Sequence, residues 1–88
     1  MRRVVFRAEV FQEGSQYVGL CPELNVSSYG DSAEQAGSSL QEAVELFLEQ
    51  CDLMGTLEDV LGESGFTNQG NVWRLRERTR QEMAAILS

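Results

Sequence analysis

The stretch Tyr17–Ala36, YVGLCPELNVSSYGDSAEQA, holds the single proline of the chain beside one of its two cysteines, then runs through Gly30-Asp31-Ser32 into a helical pattern. Cys21-Pro22-Glu23 is either a reactive site or a turn between strands. The residues around it favour the turn. Tyr17–Cys21 reads as a strand, and Pro22 has no N–H to give to a ladder, so the strand must end or bulge there. Residues 25–29, NVSSY, read as a further short strand. Asp31 is a good N-cap with Glu34 three positions later. The apolar positions Ala33, Ala36, Leu40, Ala43, Val44, Phe47, Leu48, Cys51 and Met54 then follow at spacings of three and four, which is a helical stripe. Gly55 is a suitable residue to end it.

Outward from this stretch the pattern continues. Residues 3–11, RVVFRAEVF, read as one strand, with Val4, Phe6, Ala8 and Val10 on one face and Val5, Arg7, Glu9 and Phe11 on the other. Residues 12–16 form a polar turn, so the first two strands make a hairpin in which Phe11 and Tyr17 would pair across. Residues 56–65 read as a short helix capped by Thr56, 67–71 as a turn-rich link, and Val72–Leu75 as a fourth strand. Residues 77–87 read as a last helix with a narrow apolar edge of Met83, Ile86 and Leu87, too short to be stable without a surface to lie on. The predicted fold is α+β: an antiparallel β-β-β-α-β sheet with helices packed on one face, plus a short C-terminal helix. Residues 1–75 form the domain and 76–88 the tail.

Composition narrows the functions. The chain has 88 residues, 42% hydrophobic, which suits one small globular domain. Its net charge is −7, and every cation is arginine. Residues 1–70 hold three arginines against twelve acids, whereas residues 71–88 hold four arginines (74, 76, 78 and 80) against two glutamates. An acidic body repels phosphate backbones and suits a basic partner. The N-terminal residues lack the apolar run of a signal peptide, and no stretch approaches the ~20 apolar residues of a membrane span. Two cysteines make neither a disulfide framework nor a metal spacing, so reduced thiols and a cytoplasmic location are expected.

Histidine and lysine are absent. That removes Ser-His-Asp and Cys-His catalysis, Schiff-base lysines and histidine metal sites. Cys21 has no base to deprotonate it, and Glu23 nearby would raise its pKa. Glu9, Glu23, Asp31 and Asp52 would bind a divalent cation only if the fold gathered them. No enzymatic role and no cofactor are expected. Trp73 has two open readings, core residue or exposed apolar group used for assembly.

Three runs carry a resemblance: Tyr17-Val18-Gly19-Leu20-Cys21-Pro22-Glu23-Leu24, Gly30-Asp31-Ser32-Ala33-Glu34-Gln35-Ala36, and Leu40-Gln41-Glu42-Ala43-Val44-Glu45-Leu46-Phe47-Leu48-Glu49. In this order and spacing they resemble the HicB antitoxin family, with its Y-V-A-x-x-P-E-L segment, G-D-T-x-E-E-A helix start and E-A-V-E-L-Y-L-E helix body. Ser32 stands for the usual Thr, and Gln35 for the second Glu. The resemblance covers residues 3 to about 50, and more weakly to about 75. It implies a degraded ribonuclease H-like fold without catalytic acids, binding to a small basic toxin that cleaves mRNA, and assembly as a homodimer or homotetramer. Family members often add a C-terminal operator-binding motif. Here the tail is too short for one, so direct DNA binding is not expected. Candidate partner-binding residues are Tyr17, Glu23, Glu9 and Phe11. Candidate self-association residues are Trp73, Leu75, Met83, Ile86 and Leu87. The alternative is an orphan homo-oligomeric domain of the same fold with no toxin, and a third reading is a metal-dependent nuclease using the acids.

Overall fold

The computed structural model describes residues 3–76 of the chain. It is mixed α+β, with six strands in two three-stranded sheets and two helices among the described residues. The elements in chain order are β1 (Arg3–Val5), β2 (Glu9–Glu13), β3 (Gln16–Cys21), β4 (Val26–Gly30), α1 (Ala33–Leu53), α2 (Leu57–Glu63), β5 (Phe66–Gln69) and β6 (Val72–Leu75). The helix read over 77–87 lies outside the described residues.

The first correction concerns residues 3–11, which are two strands rather than one. Glu9–Glu13 pairs antiparallel with β3, from Glu9↔Leu20 to Glu13↔Gln16. Continued towards the N-terminus, that register would set Arg7 opposite Pro22. Proline offers no donor, and the chain turns away at 22–25, where the Asn25 amide donates to the Pro22 carbonyl at 3.2 Å. The ladder therefore stops. Residues 3–5 pair parallel with β6 instead, through Arg3↔Val72, Val4↔Trp73 and Val5↔Arg74. The expected single antiparallel sheet is thus two sheets, ordered β2-β3-β4 and β1-β6-β5.

The second correction concerns residues 66–69. Phe66–Gln69 is a strand, paired with β6 from Phe66↔Leu75 to Gln69↔Val72. Only Gly70-Asn71 is the turn. The β2–β3 and β5–β6 hairpins each close with two residues, and each has positive φ at the first of them: Gly14 at 62° and Gly70 at 73°.

α1 starts one residue later than the capping pattern suggests. Ser32, not Asp31, is the N-cap: its hydroxyl accepts from the Gln35 amide at 3.1 Å. The Gln35 side-chain oxygen reaches back to accept from the Asp31 amide at 2.6 Å. Ser32 and Gln35 therefore make a box-like reciprocal cap, with the return bond on the amide of Asp31 rather than that of Ser32. At the far end Gly55 adopts φ 74°, its amide donates to Asp52 O, and the Thr56 amide donates to Cys51 O, which is the Schellman arrangement. The Thr56 hydroxyl also donates to Cys51 O at 3.3 Å and makes no side-chain cap for α2.

α1 lies against the face of the first sheet that carries Gly19 and Gly30. A Cβ on Gly19 would sit 2.7 Å from Ala36 O, and one on Gly30 would sit 2.5 Å from Ala36 N. These two glycines let the helix backbone approach the sheet. Both sheets then share one core, in which Cys21 and Leu24 meet Leu40, Val44 and Cys51 of α1, Leu57 and Leu61 of α2, and Phe66 and Trp73 of the second sheet.

Candidate partner-binding face

Cys21 and Cys51 are free thiols, and both are buried in the core. Burial pushes the Cys21 thiol above its ordinary value, with Glu23 adding to the rise against backbone hydrogen bonds from Leu24 and Glu23. A neutral, enclosed thiol is a packing group rather than a nucleophile. Cys21-Pro22-Glu23 is the end of a strand and the start of a turn.

The acids do not converge. Among the described residues no group of three or more His, Cys, Asp or Glu is placed to hold a metal ion. Glu9 is on β2, Asp31 precedes α1, Asp52 is in the last turn of α1, and Glu23 is bound at 3.1 Å to the exposed Arg7 guanidinium. That ion pair bridges the segment between β1 and β2 to the turn after β3. The other carboxylate oxygen of Glu23 is buried without a hydrogen-bond partner.

The register sorts the remaining candidates by face. Alternation along β2, β3 and β4 puts Val10, Gln12, Tyr17, Gly19, Cys21, Val26, Ser28 and Gly30 on the α1 side. Glu9, Phe11, Glu13, Val18, Leu20, Ser27 and Tyr29 lie on the outer side. The expected Phe11–Tyr17 pair is therefore not made: Phe11 stands opposite Val18, and Tyr17 stands opposite Gln12 and Gly30. Phe11, Val18 and Tyr29 form one row across three strands. Val18 is 7% exposed at its centre, while Phe11 is 44% and Tyr29 61% exposed at its flanks. Glu9 and Glu13 border the row, and none of the residues that β2, β3 and β4 place on this face is a cation. No described helix packs on it. The structure thus brings Glu9 and Phe11 together, sends Tyr17 to the opposite face, and ties Glu23 to Arg7.

Tyr29 belongs to the row and was not among the sequence candidates. Its phase in β4 is opposite to that of Val26, but only the register with Val18 shows which phase faces outward. Trp73 is buried, with its indole nitrogen unpartnered, so of its two readings the structure supports core. Leu75 is half-buried against the same core. Met83, Ile86 and Leu87 lie outside the described residues. A groove of about 670 Å³ between β1 and α1 is lined by the apolar Val4, Phe6, Val44 and Leu48 and by the charged Arg3, Glu45, Glu49 and Asp52. No helix among the described residues is long and apolar enough to cross a membrane.

No family model, no curated protein and no solved structure matches this chain.

Proposed function

We propose that the chain is a non-catalytic protein-binding module of the antitoxin type, which neutralises a small basic mRNA-cleaving toxin by covering its RNA-binding face. One observation carries the reading: the outer face of the β2-β3-β4 sheet presents exposed Phe11 and Tyr29 on either side of a buried Val18, bordered by Glu9 and Glu13, with no cation among the strand residues of that face. Aromatic groups with a charged border are the usual composition of a recognition surface. A surface evolved to grip RNA presents an excess of positive charge. An acidic, aromatic face fits that surface, steers it in at low salt and excludes RNA from it. The HicB-like runs around Pro22, Ser32 and Val44 support the same reading.

The test is affinity capture of the tagged chain from its native host, followed by an RNA-cleavage assay on what co-purifies. Stoichiometric recovery of a small basic protein whose ribonuclease activity the chain suppresses is the expected result. Phe11→Ala and Tyr29→Ala should each weaken that complex by about 1–3 kcal/mol, the range for aromatic groups central to an interface. Recovery of the chain alone, as a homo-oligomer, overturns the antitoxin reading and leaves the orphan-domain alternative.

A further inference from the structure

β2 is an edge strand. Among the described residues, in the order β2-β3-β4, it has a partner on one side only, and all five of its residues are exposed. A strand edge carries unpaired N–H and C=O groups, which invite another strand. The two edges of this sheet differ in charge. β4, Val26–Gly30, carries no charged residue. β2 carries Glu9 and Glu13 on its outer side with Phe11 between them, and no cation.

That pattern discriminates among occupants. Two copies of β2 paired antiparallel about Phe11 would set each Glu9 opposite a Glu13 of the second copy, twice in one short ladder. Like charges directly opposite each other destabilise a strand pair. A segment with an apolar residue opposite Phe11 and an arginine or lysine two positions to either side turns both repulsions into attractions. Its apolar residue would also lengthen the Phe11–Val18–Tyr29 row by one strand.

We propose that β2 is a docking edge for an extended basic protein segment of pattern cation–x–apolar–x–cation, which adds to the sheet as a fourth strand next to β2. The inference rests on the proposed function, since the segment is taken to belong to the basic partner, and it adds the mode of binding. Main-chain hydrogen bonds supply the hold, and the alternate side chains supply the selectivity.

The test uses the full chain and two synthetic nine-residue peptides centred on Arg-Thr-Val-Thr-Arg and on its charge-reversed twin Glu-Thr-Val-Thr-Glu. Amide exchange and NMR chemical shifts are followed residue by residue. The arginine peptide should slow exchange of the outward amides of Glu9–Glu13, and its affinity should fall several-fold from low to high salt. The double variant Glu9→Arg/Glu13→Arg, with both sites exposed, should reverse the preference to the glutamate peptide.

Four results with the free chain or the peptides overturn the proposal. One is protection of the outward β2 amides in the free chain, which would mean that residues 77–88 or a second copy already occupy the edge. Another is binding that shifts Val18, Leu20 and Tyr29 while the β2 amides keep exchanging. The others are an unreversed charge preference and the absence of binding by the arginine peptide at millimolar concentration. Capture of an inhibited basic ribonuclease with β2 still exchanging defeats this inference alone. Edge binding of the peptide without any such partner defeats the proposed function alone.

Discussion

Cys21 and Pro22 are adjacent and act through different parts of their chemistry, the thiol by filling the core and the imide nitrogen by ending a ladder. The enclosed thiol keeps its proton beyond the ordinary value of 9.0. Below that value the folded and unfolded chains hold the proton alike. Above it the unfolded chain ionises while the buried thiol resists, so stability falls as pH rises. Denaturant titrations should show a midpoint that declines above pH 9.0 in the wild type and declines less in Cys21→Ala measured against its own neutral-pH value. A disulfide reagent should label both cysteines slowly in the native protein and quickly in denaturant. Fast native labelling of Cys21 would restore it as a reactive group. Gly19 acts through what it lacks. An added methyl meets Ala36 O at 2.7 Å, a backbone atom that cannot swing aside. Gly19→Ala should therefore cost about 1–3 kcal/mol of stability by overpacking, read as a lowered midpoint in urea.

Among the elements, α1 is the one whose local signals agree. Its apolar stripe and the left-handed Gly55 act within a turn or two of themselves, so they were legible before any tertiary contact was known; a capped start was legible too, but not that Ser32 and Gln35 make it. The cap shifted from Asp31 to Ser32 because Gln35, like Glu34, can reach back to a free amide, and local spacing allows both. Ser32→Ala should lose about 1 kcal/mol, the usual worth of an N-cap hydroxyl, by thermal melting followed at 222 nm. An unchanged melt would mean that Asp31 takes over the cap. The strands were less legible. β5 reads as a link because Asn68, Gly70 and Asn71 are residue types depleted from strands, and pairing with β6 outweighs that preference. Residues 3–11 alternate without a break, so nothing within them marks the division at 6–8. Pro22, in the turn after β3, makes it.

For the whole molecule, one core under two sheets implies one transition. Trp73, the single tryptophan, reports on the second sheet, and helical circular dichroism reports mainly on α1, which packs on the first. The two signals should give the same urea midpoint, because Cys21 and Leu24 share a cluster with Phe66 and Trp73. An earlier fluorescence midpoint would show that the second sheet opens by itself. The outer face of the first sheet belongs to this same level. Glu9 and Phe11 could be picked out as exposed strand residues, but their grouping with Val18 and Tyr29, and the loss of Tyr17 to the helix side, depend on register across three strands. Local order therefore followed from short-range chemistry written in the chain: helix spacing, caps, the glycines of the turns and the proline that ends β3. Which strand meets which, and so which side chains share the open face, was decided by pairings as distant as Val4 with Trp73 and by two glycines that bring α1 onto one side of the sheet. A period of two says that strand residues alternate, but only the packed neighbour determines which alternate set is covered.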